Sequence, residues 1–222
     1  MGQRLIVEGE NDIRVIAQFW MSCNLHKVKG YEEKRRFEKE FVKIAGGIEP
    51  LKEQLQSILK SDLSDIESIG IIVDADENPL AKWDSIKHIL ENKGYTNLPS
   101  GLPLEGMVIE QVGLPKIGLW VMPDNRLPGY LEHFYESLIK AEDNLKPAVA
   151  TAIQSLYDQN ITRFTEIRRQ KAFVHTWLSW QETPGASMGL TMQGKSDLFD
   201  FLQPNAQAFL AWSKQVFQFT EE

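Results

Sequence analysis

The run Ile69-Gly70-Ile71-Ile72-Val73 constrains the fold more than any other part of this 222-residue chain. Its residues are apolar at consecutive positions, whereas a strand with one face in water alternates apolar and polar residues. A strand that is buried on both faces is typical of the centre of a parallel sheet covered by helices on each side. The run therefore predicts an α/β fold with a mostly parallel central sheet flanked by helices.

Strand and helix patterns alternate along the chain as far as Met122, as expected for such a sheet. Apolar runs predict further strands at residues 5–7, 37–44, 107–109 and 118–122. From Gly129 onward only helical patterns follow, over residues 130–140, 146–159, 165–180 and 206–217. We therefore expect an α/β domain over residues 1–140 and an all-helical C-terminal extension over residues 141–222, packed together as one compact unit.

The composition narrows the class of protein. The single cysteine, Cys23, excludes an intrachain disulfide and favours the reducing cytoplasm. No segment approaches the roughly twenty apolar residues that cross a bilayer, so we expect a cytoplasmic protein without a membrane partner. The formal net charge of −7 argues against a protein that coats nucleic acid non-specifically, because such proteins are usually basic. It does not argue against a nucleic-acid enzyme, since bound cations offset clustered carboxylates locally.

Acidic residues stand where two of the predicted strands end. Glu8 follows the first strand, Asp74 follows the central one, and Asp76 lies two residues further on. In open α/β sheets the chemistry lies beyond the carboxyl ends of the strands. If the strand geometry persists, the two-residue offset also places Asp74 and Asp76 on the same side. Three acids at one edge repel each other unless a cation lies between them, and oxygen ligands suit Mg²⁺ or Mn²⁺.

A simpler interpretation of the same acids stays open. Asp74 or Asp76 would then cap the helix predicted to begin near Pro79, and Asn11 or Asp12 would cap the first helix.

Two segments resemble the motifs of Toprim domains. Residues 5–12, Leu-Ile-Val-Glu-Gly-Glu-Asn-Asp, resemble the first motif, a hydrophobic strand that ends in Glu-Gly-x-x-Asp. Residues 71–76, Ile-Ile-Val-Asp-Ala-Asp, resemble the second, a strand that ends in Asp-x-Asp. Segments 118–125, 129–132 and 171–178 resemble an uncharacterised Toprim-related bacterial family that is similar to the nuclease half of OLD proteins. The resemblance implies a Toprim-like fold and a Mg²⁺- or Mn²⁺-dependent phosphoryl-transfer enzyme, namely a nuclease.

The resemblance also implies roles for individual residues. Lys171 would be a catalytic cation, and Glu8 would act as a general acid or base unless it shares a second ion with Glu132. The implied metal ligands are Glu8, Asp12, Asp74, Asp76 and Glu132. Two plainer interpretations stay open, in which Glu132 is an exposed helix acid and Lys171 only covers apolar surface with its stem.

The expected partner is nucleic acid, with DNA favoured over RNA. Arg168 and Arg169 belong to a basic helical region that would contact phosphates, although a solvated helix surface is the favoured interpretation of this region on its own. OLD nucleases pair with an ATPase, so the resemblance also implies a separate ATPase partner. The oligomeric state is not predicted. The alternative function is a Toprim scaffold that has become a non-catalytic binding module.

Residues 189–196 match the Walker A pattern letter for letter. A phosphate-binding loop of this kind follows a buried strand, and no strand pattern precedes Gly189. Nucleotide binding is therefore the third choice. We expect a flexible glycine-rich loop in which Ser196 or Asp197 caps the final helices.

Overall fold

A mostly parallel five-stranded sheet forms the centre of the protein. The computed structural model describes residues 2–25 and 41–219. The strands are β1 (Gly2–Val7), β2 (Val42–Ile44), β3 (Ile66–Asp74), β4 (Met107–Ile109) and β5 (Lys116–Met122). They lie in the order β2-β1-β3-β5-β4, and every neighbouring pair is parallel except β4 and β5. The predicted α/β fold is confirmed, and the arrangement is consistent with a Toprim-like fold.

Helices cover both faces of the sheet. They are α1 (Glu10–Ser22), α2 (Ile48–Lys60), α3 (Pro79–Lys93), α4 (Leu131–Leu138), α5 (Leu145–Asp158), α6 (Arg169–Ser179), α7 (Met188–Gly194) and α8 (Pro204–Val216), with 3₁₀ turns at Glu166–Arg168 and Ser196–Leu198. Alternate strand residues point to opposite faces, so Leu5 and Val7 join one apolar core and Ile6 joins the other. The core around Ile6 lies beneath α2 and α3, whereas α1, α4 and the later helices contribute to the core around Leu5.

The last helix lies directly on the sheet because two glycines leave room for it. Gly70 of β3 and Gly118 of β5 are paired across the two strands. A Cβ atom on Gly70 would lie 2.2 Å from Cζ of Phe217, and one on Gly118 would lie 2.2 Å from Cγ2 of Val216. The C-terminal helices therefore complete the core on one face of the sheet.

Some details at the ends of elements differ from the sequence-based predictions. The N-cap of helix α1 is Gly9, not Asn11 or Asp12, but Asp12 at the third helical position takes part in the cap because its side chain accepts a hydrogen bond from the backbone N–H of Gly9. The second strand was predicted over residues 37–44; the structure has β2 at Val42–Ile44, and residues 37–40 lie outside the described residues. No helix within residues 2–25 and 41–219 is long and apolar enough to cross a membrane.

The segment that matches the Walker A pattern is a helix, so the prediction of a flexible loop was wrong. Ser187 caps α7 by accepting a hydrogen bond from the backbone N–H of Leu190 at 3.3 Å. Gly189 packs against α1, because a Cβ there would lie 3.0 Å from the carbonyl oxygen of Arg14. Its small size therefore serves helix packing, and the helix is not preceded by a strand.

The predicted caps of the final helices were also wrong. Ser196 is the first residue of a 3₁₀ turn whose cap is Lys195, Asp197 is its second residue, and α8 is capped by Gln203.

Candidate functional site

The strand order creates a crevice between the carboxyl ends of β1 and β3. From β1 the chain moves to β2 on one side, and from β2 it returns across β1 to β3 on the other. In open α/β sheets ligands bind where the strand order reverses in this way. Val7 and Ile72 are register partners near the carboxyl ends of β1 and β3. Glu8 directly follows Val7, and Asp74 is the last residue of β3, so both residues lie at this crevice.

Backbone donors hold the first two carboxylates in place. Oε1 of Glu8 accepts a hydrogen bond from the backbone N–H of Asp74 at 3.0 Å. Oδ1 of Asp74 in turn accepts one from the backbone N–H of Leu131 at 2.8 Å, at the first turn of α4. Asp74 therefore does not cap α3, as the simpler interpretation proposed. That helix is capped by Asn78, whose Oδ1 accepts from the N–H of Ala81 at 3.2 Å.

Asp12, in the first turn of α1, is also fixed by a backbone donor. Its Oδ2 accepts a hydrogen bond from the backbone N–H of Gly9 at 2.7 Å. Glu8, Asp12 and Asp74 thus each use one oxygen to accept from the backbone. Within the described ranges, their other oxygens accept no hydrogen bond.

These carboxyls repel one another. Burial raises the pKa of Asp74 from 3.8 to about 8, and the negative charges of Asp12 and Glu8 contribute to the rise. Burial also raises the pKa of Asp12 from 3.8 to about 6, with further contributions from Glu8 and Glu132. The pKa of Glu8 is raised by burial as well, although the hydrogen bond from Asp74 opposes the rise. Glu8, Asp12 and Asp74 are close enough that these three carboxyls do not all carry a charge near neutral pH unless a cation joins them.

Glu132 and Lys171 join the same cluster. The Glu132 side chain is only 7 % exposed, and its Oε1 lies 3.6 Å from Nζ of Lys171. The Lys171 ammonium also lies 5.1 Å from the centre of the Tyr130 ring. The interpretation of Glu132 as an exposed helix acid was therefore wrong. The structure brings both residues to the crevice, whereas sequence spacing alone does not link α4 to α6.

Asp76 leaves the strand instead of continuing it. Its φ angle is +51°, and its backbone forms an antiparallel bridge with Gly129 through hydrogen bonds of 3.0 and 2.8 Å. The strand geometry on which a shared side for Asp74 and Asp76 depended therefore does not persist, because β3 ends at Asp74 and the backbone turns between the two residues. The charge of Asp76 nevertheless raises the pKa of Glu8, so Asp76 belongs to the rim of the cluster.

Lys82 pairs with Asp76, and sequence reasoning missed it. Its Nζ donates a hydrogen bond to Oδ2 of Asp76. The Lys82 side chain is 12 % exposed, whereas that of Asp76 is 51 % exposed. The sequence did contain a signal for this pair. Lys82 lies near the start of α3, the helix that begins directly after the acidic segment.

A cleft of about 400 Å³ opens beside the cluster. It lies between the loop after β3, the loop before α4 and the start of α6, and its walls include Asp76, Tyr130, His133, Ile167, Arg169 and Gln170. Arg169 contacts Glu166 at 3.3 Å and lies 4.9 Å from the centre of the Tyr157 ring. Arg168 is exposed at the end of the 3₁₀ turn. Of the two arginines, the structure therefore places Arg169 in the wall of the cleft.

The carboxylate cluster offers few direct ligands to a divalent cation. Among the described residues, no three His, Cys, Asp or Glu side chains are gathered closely enough to hold a metal ion directly. Mg²⁺, however, uses only one or two carboxylates and keeps several waters. A carboxylate that accepts a backbone hydrogen bond with one oxygen still has its second oxygen available to coordinate Mg²⁺. The chemistry of the residues thus fits Mg²⁺ or Mn²⁺, with waters completing the ligand set.

A protein-family model matches nearly the whole chain. Residues 2–218 match DUF3226, a family described as a protein of unknown function. The chain belongs to this family. Comparisons with curated proteins and with solved structures found no match. The relation to Toprim domains and OLD nucleases therefore stays a prediction from the motifs.

Proposed function

We propose that this member of DUF3226 is a Mg²⁺- or Mn²⁺-dependent phosphoryl-transfer enzyme, a nuclease that hydrolyses phosphodiesters of nucleic acid. The observation that carries the proposal is the set of partly buried, mutually repelling carboxyls at the carboxyl ends of β1 and β3. Such a set costs the protein stability unless a cation compensates it. Perturbed acids at a crevice of this type are therefore more readily explained by chemistry than by folding.

Each residue has a distinct task in this proposal. The backbone donors orient Glu8, Asp12 and Asp74, so that one or two of these carboxylates could hold the cation directly while waters complete its ligand set. The bound cation would neutralise phosphate charge and lower the pKa of a water molecule. Glu8, with its raised pKa, is suited to accept or return a proton. Lys171, which Glu132 holds at 3.6 Å, would stabilise the negative charge that develops on the phosphate.

The cleft beside the cluster is the proposed path of the substrate. Arg169 and the Tyr130 ring lie in its wall and offer a cation and an aromatic surface to a nucleotide. Arg168 would contact phosphate only outside the cleft. DNA is the favoured substrate, and the resemblance to OLD nucleases suggests a separate ATPase as a partner.

The test combines metal binding with cleavage. Calorimetry with Mg²⁺ and Mn²⁺ and a nicking assay on plasmid DNA are carried out on wild type, Asp74→Asn and Asp62→Asn. Asp62 is an exposed acid that precedes the opposite end of β3 from Asp74, and within the described ranges its side chain bonds only Ser64. We expect wild type and Asp62→Asn to bind metal and nick, and Asp74→Asn to lose both. RNA in the same assay tests the preference for DNA.

A second candidate function, a non-catalytic binding module, is favoured by one observation. Lys82 and Lys171 already pair with Asp76 and Glu132, so two of the five acids are neutralised without metal. A wild-type protein that is folded but binds neither Mg²⁺ nor Mn²⁺, with or without DNA, would favour this candidate and contradict the nuclease. Metal binding without cleavage of DNA or RNA would instead retain the metal site and reject nucleic acid as the substrate.

A further inference from the structure

The cleft beside the cluster presents more negative than positive charge to a ligand. Asp76, Glu77 and Glu166 lie in its walls together with Arg169, whose Nη1 already lies 3.3 Å from Oε1 of Glu166. Its volume of about 400 Å³ lies within the range of about 300–1,000 Å³ that is typical of small-molecule sites. The walls therefore favour an uncharged group over a phosphate as the part of a ligand that fills the cleft.

His133 offers a hydrogen-bond donor to this cleft. Its Nδ1 accepts a hydrogen bond from the backbone N–H of Tyr130 at 3.1 Å. An imidazole whose Nδ1 accepts carries its proton on Nε2, so Nε2 is a donor. Among the described residues this N–H has no acceptor, and His133 lies in the wall of the cleft. The bond to the backbone thus fixes both the tautomer and the orientation of the ring.

Gln170 offers an acceptor beside this donor. Its Nε2 donates a hydrogen bond to Oε2 of Glu136 at 2.7 Å. A carboxylate only accepts, so this bond fixes which end of the amide is the nitrogen and leaves Oε1 as an acceptor. Glu136 and His133 are three residues apart on α4 and are therefore neighbours on one face of that helix. Because Gln170 is anchored on Glu136, the acceptor and the donor come from adjacent side chains of the same cleft.

We propose that the cleft takes up one unpaired nucleobase, whose hydrogen-bonding edge meets the Nε2–H of His133 and the Oε1 of Gln170. The inference rests on the proposed function, because it takes nucleic acid as the ligand. The Watson–Crick edge of a base carries a donor and an acceptor side by side, and pairing occupies that edge. The base must therefore come from a single strand or be flipped out of a duplex. Ile167, an apolar wall residue that is 46 % exposed, provides a surface for the face of the base.

The first measurement compares three DNA probes that differ in their bases. Fluorescence anisotropy gives Kd for a labelled single strand, for its blunt duplex and for the same backbone without bases. EDTA is present, so that binding is measured without metal and without metal-dependent cleavage. We expect wild type to bind the single strand at least about tenfold more tightly than the other two probes, because the duplex must first release a base and the bare backbone has none.

The second measurement removes the donor and the acceptor one at a time. Gln170→Leu removes the acceptor at similar volume. His133→Asn keeps an acceptor for the N–H of Tyr130, but its shorter side chain does not reach the position of Nε2. The loss of one hydrogen bond to the base, about 1.4 kcal/mol, is a tenfold change in Kd. We therefore expect each variant to bind the single strand about tenfold more weakly than wild type.

The matched control is Gln159→Leu. Gln159 is exposed at the end of α5, its Nε2 also donates to a side chain, Oγ of Ser155 at 2.8 Å, and it lies outside the walls of the cleft. We expect its Kd for the single strand to equal that of wild type.

A preference of wild type for the single strand that both substitutions weaken supports the inference. Equal binding of the three probes, binding of none of them, or a folded variant of His133 or Gln170 that binds as wild type does, overturns it. None of these results decides the proposed function, which metal binding and cleavage test separately. If His133→Asn does not fold, as its Tm would show, Gln170→Leu and the base-free backbone decide the outcome.

Discussion

Replacing Asp74 with Asn tests whether the carboxylate cluster costs the metal-free protein stability. Burial, with the charges of Asp12 and Glu8, raises the pKa of Asp74 from 3.8 to about 8. The folded protein therefore keeps a proton on Asp74 at pH values at which the unfolded chain has released it. Asn cannot ionise, and its side-chain oxygen still accepts from the N–H of Leu131, as Asp74 Oδ1 does at 2.8 Å.

Proton linkage fixes the sign of the effect. Below pH 3.8 Asp74 is protonated in both states and contributes nothing to pH dependence. As the pH rises from 3.8 towards about 8, the unfolded chain binds fewer protons than the folded protein, so the free energy of unfolding falls. At about 1.4 kcal/mol per pH unit, the roughly three units between pH 3.8 and neutral pH cost about 4 kcal/mol of the free energy of unfolding. We expect Asp74→Asn to regain at least about 2 kcal/mol of this lost free energy of unfolding, because Glu8 and Asp12 also lose a neighbouring negative charge. The substitution should therefore raise Tm by at least about 4 °C.

The assay is thermal unfolding in the presence of EDTA at about pH 4.5 and about pH 8. The gain in Tm from Asp74→Asn should be much larger at the higher pH. Asp62→Asn is the control, because Asp62 is exposed and hydrogen bonds from Ser64 lower its pKa. Its replacement should therefore not stabilise the protein. A loss of stability in Asp74→Asn at pH 8, or an equal gain at both pH values, would refute the reasoning.

Two further predictions concern the fold. Gly118→Ala should lower the free energy of unfolding by about 1–3 kcal/mol through overpacking, because the new Cβ would lie 2.2 Å from Cγ2 of Val216. Urea unfolding measures the loss, and an unchanged unfolding midpoint would contradict this contact. Lys195→Ala should not alter the effect of ATP on Tm, because the Walker-like segment is a packed helix. An ATP-induced rise in Tm that only wild type shows would restore the nucleotide-binding interpretation.

The sequence predicted the centre of the site because strand ends are local features. Glu8 and Asp74 each follow an apolar run, and parallel strands bring their carboxyl ends to one edge. The roles of Glu132 and Lys171 were instead predicted from the resemblance to Toprim proteins. The residues alone could not predict them, because the approach of α4 to α6 depends on how the helices pack. The link of Asp74 to the start of α4 was equally invisible, since Leu131 lies far along the chain.

The failures share a physical cause, which is that tertiary contacts override local patterns. Asp76 adopts a φ of +51° because its backbone bridges Gly129, and no pattern within the acidic segment reports that bridge. Gly189 belongs to a sequence that matches a phosphate-binding loop, yet it lies against the backbone of Arg14. A glycine that permits close helix packing and a glycine that permits close approach to phosphate give the same letter in the sequence.

The cluster makes stability depend on ligand in a way that a purely structural core does not. A core acid that served only the fold would be paired or replaced, because an unpaired buried charge is destabilising. Here Asp12 and Asp74 keep raised pKa values although Lys82 and Lys171 lie at the rim. The two ammonium groups therefore compensate the outer acids and leave the inner ones uncompensated. A divalent ion that bound the inner acids would stabilise the folded state by RT ln(1 + [L]/Kd). The protein should then be most stable with metal at high pH, where the metal-free form is weakest.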